Sequence, residues 1–538
     1  MRERNEFILA DLISLRAEQK PDLDVLTFEH YSLDDGASAD EVRTYADLFT
    51  NANRLAAWLL ARGMRRGERF VIMLRNHPEF VEAMIAASMT GTVFVPVDPR
   101  TRADKIAFMV NNSGSRGVVC AGYNFAEVEQ ARRSCPALEW SLLLEPEAGQ
   151  AEAAAWHIDP LHEVLAAAVP TVQMAAVTLS DPIQIIYTSG TTGDPKGIVG
   201  NNQRFGGTGM MGFVFGYQPD ERPYTGLSFT HNNAQATALC PSLYGGHRAV
   251  FSRKFTKSKL WDICRRYGCT SFSLLGGMAT AVYSEPPRAD DAANPVRLVI
   301  SGGMPAAIWE AFERRFDVRI FEIYGASDGG GMAFNAPGQG PVGSFGKPLP
   351  GYAMKILDDA GNECPPGVVG EICCGPAEGS DVSVAVEYFA NPEASQRKLR
   401  DGWNRSGDMG HADAAGWLFF DYRKGGGIRH NGDFINTSYV EKVVAECPLV
   451  DDVYVYGVSA LSGAPGEKDV VAAVVARTGQ EFDAAAVFAH CRAGLEPNFV
   501  PGYLQLVDEI PKTASEKPQE RFLLEQFRRE AANVFASR

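Results

Sequence analysis

The stretch Ile185-Ile-Tyr-Thr188-Ser189-Gly190-Thr191-Thr192-Gly193-Asp194-Pro195-Lys196-Gly197 decides how the rest of the chain is read. An apolar run suited to a buried strand opens into hydroxyls and glycines and ends in a lysine. Glycines let backbone N–H groups approach an anion, hydroxyls add donors, and the lysine adds a mobile positive charge. In chemical terms this is a polyphosphate cradle placed directly after a strand. The spacing from Gly190 to Lys196 does not fit GxxxxGK[ST], so it is not a Walker loop.

Working outward, helical and extended patterns alternate on both sides of this turn. Tyr45–Arg62 has apolar residues at helical spacing and stops at Gly63. Arg69–Leu74, Gly91–Val97 and Gly117–Cys120 read as short buried strands, with Glu79–Ser88 helical between the first two. Ile183–Tyr187, Ala249–Phe251, Ser271–Leu275, Leu298–Ile300 and Val318–Phe321 continue the strand signal. Such alternation predicts an α/β fold with parallel sheets and crossover helices. From about residue 341 to 422 glycines and prolines punctuate short runs such as Ala353–Leu357 and Val369–Cys373, and a barrel-like antiparallel unit is expected. Residues 423–538 read as a small, mobile α+β domain: helix Tyr439–Cys447, strands Val453–Val458 and Asp469–Ala476, helix Ala484–Ala493, then a charged C-terminal helix. The expected division is therefore 1–422, with subdomains of about 1–180, 181–340 and 341–422, followed by 423–538. Gly425-Gly426-Gly427 lie near the joint, where three glycines favour mobility.

The 538 residues are enough for about three structural units. A formal charge of −15 argues against a nucleic-acid backbone or an anionic membrane as the main partner. No apolar run reaches the roughly 18–20 residues of a membrane span, and Phe7–Ile13 reads as an amphipathic helix, not a signal peptide. Ten cysteines without paired CxxC spacing suggest reduced, buried thiols and a cytoplasmic setting.

Tyr187–Gly197 closely resembles the phosphate-loop signature of the adenylate-forming superfamily, which includes acyl-CoA synthetases, firefly luciferase and the adenylation domains of peptide synthetases. Further motifs follow in that superfamily's order over nearly the whole chain, and the nearest likeness is to acyl-CoA ligases of the carnitine/crotonobetaine-CoA ligase type. The resemblance implies that ATP and Mg2+ activate a carboxylic acid to an acyl-adenylate, that the small C-terminal domain then rotates, and that the acyl group passes to the thiol of coenzyme A. It implies that Ser189, Gly190, Thr191, Thr192 and Gly193 hold phosphates and that Thr188 and Lys196, in the same loop, are catalytic, as are His231 and Lys517. His231, in Phe229-Thr-His-Asn-Asn-Ala-Gln235, would flank the reacting carboxylate. Gly302 and Gly303 would lie against adenine, where a missing side chain admits a flat base.

In Glu322-Ile323-Tyr324-Gly325-Ala326-Ser327-Asp328, Tyr324 would stack on adenine, Ser327 would contact phosphate, and Asp328 would bind magnesium where the family has Glu. Glu322, Ile323 and Gly325 belong to the same nucleotide segment. Asp408, in Trp403-Asn-Arg-Ser-Gly-Asp408, would accept hydrogen bonds from both ribose hydroxyls, with Arg423 reaching ribose or phosphate. Gly432 would line the pantetheine tunnel. Lys517, in Pro511-Lys-Thr-Ala-Ser-Glu-Lys-Pro518, would contact the carboxylate and the α-phosphate and offset charge in the transition state.

The departures cluster. Asp328 is a methylene shorter than Glu, Gly425 replaces the usual hinge residue, Glu516 replaces a glycine beside the lysine, and Pro518 follows it. Three readings stay open: a complete ligase, an enzyme that performs only the thioester step on acyl-AMP supplied by a separate adenylating enzyme, and a stand-alone loader of a carrier protein. A non-catalytic nucleotide-binding relative and a homo-oligomer are also left open. Glycine pairs at 206–207, 276–277 and 302–303 and the triplet 329–331 suggest room for a bulky hydrophobic acid.

Overall fold

Short β-branched and aromatic runs, too apolar to alternate, make strands buried on both faces, as parallel sheets require. The computed structural model describes residues 3–537 apart from 34–38, 147–155, 189–194, 327, 329–330, 385, 425–426, 431–432, 462–466 and 514–515. The chain divides into two compact units: residues 1–273 with 386–397, and residues 274–385 with 398–538.

In the first unit seven strands run in the order His157–Pro160, Trp140–Leu144, Ser115–Ala121, Arg69–Ile72, Val93–Pro96, Pro182–Thr188, Lys196–Asn201. All pairs are parallel except the last, an antiparallel pair in which Tyr187 faces Gly197 and Thr188 faces Lys196. The hydroxyl-rich turn thus joins these two strands, but residues 189–194 lie outside the described ones. Helix Pro78–Thr90 is buried along its whole length; it is mostly apolar, and its buried Glu82 is paired with Arg43 (2.7 Å). Left-handed Gly91 and Gly114 end the helices before them. A second run in this unit orders Glu41–Thr44, Asp24–Phe28, Ala249–Phe251, Pro223–Thr225 and Ser271–Leu275, with only the first pair antiparallel. The segment 386–397 also belongs here: Val199 donates its N–H to the Glu387 carbonyl (3.1 Å), and Phe389 donates to that of Gly197 (2.7 Å).

In the second unit, parallel strands Leu298–Gly302 and Arg319–Gly325 pass into antiparallel neighbours: Met332–Asn335, Ser344–Pro348, Leu418–Arg423, Trp403–Ala412, Gly370–Pro376 and Tyr352–Leu357. Among the described residues these pairings form an open path, so the barrel-like expectation is corrected. Ser344–Pro348 commits its edges to Met332–Asn335 and Leu418–Arg423, which leaves Tyr352–Leu357 at one end. The smaller C-terminal domain has a four-stranded sheet, Val450–Ser459, Lys468–Ala476, Tyr503–Leu506, Val534–Ala536, flanked by helices Thr437–Ala445 and Ala484–Gly494. The expected final helix covers only Glu520–Gln526. The chain then turns into strand Val534–Ala536, because Val534 is buried and Asn533 ties itself to the Leu506 carbonyl (2.9 Å).

Candidate functional site

Strand register brings the predicted ribose and base residues together in the second unit. Asp408 on Trp403–Ala412 stands directly opposite Arg423 on Leu418–Arg423. The buried Asp408 carboxylate accepts from Arg423 Nε (2.9 Å) through Oδ1 and from the Tyr324 hydroxyl (2.8 Å) through Oδ2. Ser406 Oγ accepts the Asp408 N–H (2.9 Å) and donates to the Ile372 carbonyl (2.6 Å), which fixes the turn. Left-handed Gly407 gives its N–H to Glu371 (3.0 Å). The Tyr324 ring stacks on Phe345, centroids 4.4 Å apart and planes 25° apart. Burial, and then the charge of Asp408, push the Tyr324 phenol well above its usual range. Burial opposes the charge on Arg423, but Asp408, with Asp328 and Tyr324, holds its pKa above the ordinary value. The result is a rigid carboxylate with a base-sized aromatic ring on one side and an exposed guanidinium on the other.

Glu322 turns inward. Its buried carboxyl accepts the N–H groups of Gly303 (2.5 Å) and Met304 (3.1 Å) and so clamps the loop after strand Leu298–Gly302. Burial pushes its pKa up to about 8, against the pull of the Met304, Gly303 and Ser301 donors. Left-handed Gly303 and Gly276 approach so closely that a Cβ on Gly276 would lie 2.5 Å from the Gly303 carbonyl oxygen. Gly302 and Gly303 thus form a backbone surface held from behind, as a flat ligand would need. Ile323 is half-buried and Gly325 exposed beside them.

Lys517 sits in a loop closed by Thr513 N–H to the Lys517 carbonyl (2.8 Å) and by Glu516 N–H to the Thr513 carbonyl (2.9 Å). Glu516 adopts φ +56°, the left-handed conformation its predicted glycine would take without strain. Solvent reaches the Lys517 side chain. Partial desolvation, and then the charge of Arg423, lower its pKa, while Asp408 and Asp328 oppose the shift. Lys517 therefore shares one electrostatic neighbourhood with Arg423, Asp408 and Asp328.

Asp328 is not open to a metal as the resemblance implies. Its Oδ2 lies 2.6 Å from the Lys398 ammonium, a residue the motif reading passed over. Lys398 stands 70 positions away, and no local pattern announces the pairing. Among the described residues no group of three or more His, Cys, Asp and Glu could hold a metal ion. Mg2+ in a nucleotide site needs only one or two carboxylates beside phosphate and water, so the misfit at Asp328 lies in its paired oxygen: the Lys398 ammonium holds the place a cation would take.

In the first unit the Lys196 ammonium lies 5.2 Å from the Tyr388 ring centroid. Ser189, Gly190, Thr191, Thr192 and Gly193 lie outside the described residues, as do Ser327, Gly425 and Gly432; of Thr188 only the backbone is described. His231 precedes the one-turn helix Asn232–Ala234 and a π-type turn, Gln235–Leu239. That segment is pinned by Asn76 accepting the Phe229 N–H (2.9 Å) and by Gln235 donating to the Phe229 carbonyl (2.8 Å). Of the glycines read as vacant space, Gly206, Gly276 and Gly331 are close approaches. A Cβ there would meet Phe7 at 2.5 Å, Gly303 at 2.5 Å and Cys374 at 2.2 Å. Gly207 and Gly277 face open space within 4 Å.

Comparison with known proteins gives the same picture. The family model described as AMP-binding enzyme matches residues 14–380, and the AMP-binding enzyme C-terminal domain matches residues 439–517. The crotonobetaine/carnitine–CoA ligases of Salmonella typhi and Salmonella choleraesuis are each 26% identical over 480 residues, covering 88% of this chain and 91% of theirs. Among solved structures, an anthranilate CoA ligase in complex with anthranoyl-AMP aligns with a TM-score of 0.81 at 21% identity, over 96% of both chains. A benzoate CoA ligase from Burkholderia xenovorans aligns at 0.77 and 22%, over 96% of this chain and 99% of that one. These likenesses establish a shared fold.

Proposed function

Because the chain belongs to the AMP-binding enzyme family, we propose that it is an acyl-CoA ligase working through an enzyme-bound acyl-adenylate. The carboxylate oxygen of the acid attacks the α-phosphorus of ATP and pyrophosphate leaves. The CoA thiol then attacks the acyl carbon, and AMP leaves with the C–O bond electrons. One observation supports this most directly. Tyr324, Asp408 and Arg423 form a single hydrogen-bonded cluster, and the ammonium of Lys517 interacts with two of its members. Asp408 would accept the ribose hydroxyls through its remaining lone pairs, and the Tyr324 ring would cover the base. Lys517, partly desolvated, would place its charge where negative charge grows on the phosphate. No step is routed through Mg2+ at Asp328.

A bulky hydrophobic acid is the proposed substrate class, on the glycine-rich runs of the sequence. His231 would flank it, and the turn 188–196 would hold the departing phosphates. The joint near residues 422–423 would let residues 423–538 alternate between the two half-reactions. Ten free cysteines fit a cytoplasmic enzyme. Among the described residues no helix is long and apolar enough to cross a membrane.

A second reading has its own support: the strained Glu516 beside Lys517 and the occupied carboxylate of Asp328 both bear on adenylation. The chain would then act only on acyl-AMP made by a separate enzyme. Both readings are tested together. The pure protein is incubated with a panel of acids, ATP and Mg2+ and assayed for pyrophosphate. It is then given the synthetic adenylates with CoA or a holo-carrier protein and assayed for thioester by mass. Brisk pyrophosphate release establishes the complete ligase. Thioester from acyl-AMP alone establishes the partial one, a preference for the carrier identifies a loading enzyme, and no thioester from any donor overturns the proposal.

A further inference from the structure

Lys398 lies at the end of helix Pro392–Lys398, five residues before Trp403. Its ammonium and the Asp328 carboxylate, 2.6 Å apart, are only 15% and 21% exposed. The same Nζ is 3.4 Å from the carbonyl oxygen of Ser406, in the turn that carries Asp408. Asp328 also interacts with Arg423 and Lys517. Three cations, Lys398, Arg423 and Lys517, therefore meet two carboxylates, Asp328 and Asp408, at the edge of the Tyr324–Asp408–Arg423 cluster.

A divalent ion entering this place would have to remove an ammonium from a short charge-assisted hydrogen bond. It would then lie beside three positive charges, of which Lys398 is largely covered by protein and so the least screened. Magnesium also demands near-octahedral oxygen ligation, and the Asp328 oxygen it would use is already held by the Lys398 ammonium. A phosphate faces the opposite balance. Arriving beside Lys398, Arg423 and Lys517, it meets an excess of positive charge already fixed in position.

We propose that Lys398 is a phosphate-site residue that takes the place of a divalent ion at Asp328, so that the chain's own ammonium balances nucleotide charge there. This rests on the nucleotide reading given under Proposed function. Metal carried by ATP on its outer phosphates is unaffected; what changes is that Asp328 is not its ligand.

The test is calorimetric binding of α,β-methylene-ATP, which cannot release pyrophosphate, to the full chain in EDTA and in Mg2+. With Lys398 present, Asp328→Asn leaves the ratio of the two affinities unchanged within about twofold, because no metal is linked to that carboxylate. Lys398→Met weakens binding in EDTA about tenfold, the loss of one charge-assisted contact. Mg2+ then restores much of it through the vacated Asp328, and Asp328→Asn on top of Lys398→Met removes the restoration. Lys398→Arg keeps the parent pattern. If Asp328→Asn alone lowers the Mg2+ effect fivefold or more, Asp328 is a metal ligand and the proposal falls. The same holds if folded Lys398→Met, checked by thermal melting, binds like the parent in EDTA. Should Lys398→Met not fold, the parent and Asp328→Asn pair decides by itself. A parent that binds no nucleotide in either buffer overturns the nucleotide reading itself, and the proposal with it.

Discussion

Two corners of the second unit, joined through Arg423, are built on different rules. At Tyr324, Asp408 and Arg423, strand register sets Asp408 opposite Arg423 and one hydrogen bond ties in Tyr324, three residues that the sequence motifs single out together. At Asp328 and Lys517 the family's choices have been replaced: a shorter acid holds a lysine, and a non-glycine residue sits in a left-handed conformation. Under the proposed function the first corner would grip a nucleoside and the second would act on its phosphate.

Three substitutions would break or sharpen that contrast, and a fourth probes the grip alone. Asp408→Ala should have the largest effect. It leaves a buried phenol and a guanidinium without their acceptor and removes the diol contact, so acyl-AMP binding should weaken about 100-fold or more, read by calorimetry. Lys517→Ala should separate the corners. Pyrophosphate release should fall about 100-fold, because a preorganised charge is lost from the transition state, while thioester formation from acyl-AMP changes less than about fivefold. Equal losses in both steps would merge the two corners into one.

Glu322→Gln tests the clamp behind Gly303. The folded carboxyl, with a pKa near 8 against an ordinary 4.5, binds a proton that the unfolded chain has released, so stability should fall as pH rises from about 4.5 to about 8. The glutamine variant should flatten that slope in denaturant titrations at pH 5 and 8.5. Glu516→Gly should have the smallest effect, a gain of about 1 kcal/mol as left-handed strain is relieved, seen as a higher midpoint in urea.

The parts legible from sequence were those set by local pattern. Buried runs such as Ser271–Leu275 and Ala249–Phe251 formed strands with the expected bounds, because a run of apolar, β-rich residues needs no partner to be recognised. Helix Tyr45–Ala61 followed its expected apolar spacing, ending one residue before the expected Arg62. Whatever depends on distant partners was hidden. The open path of the antiparallel strands turns on which edges of Ser344–Pro348 are taken. The tail strand Val534–Ala536 depends on an available edge at Tyr503–Leu506. Glu322 was placed among the nucleotide contacts because its motif points there, but the backbone it faces determines its role. Lys398 shows the same limit at the site itself: seventy residues separate it from Asp328, and only the folded chain brings the charges together.

The path of the chain between the two units has a practical consequence for protein engineering. Residues 386–397 leave the second unit, lie along strand Lys196–Asn201 through Glu387 and Phe389, and return as Lys398. A gene fragment ending at residue 273 would encode a sheet lacking the segment that caps its last strand, with Ile198 deprived of Tyr388. Neither half can be excised as one uninterrupted fragment. A two-piece complementation design would have to supply those twelve residues in trans or graft them through a linker.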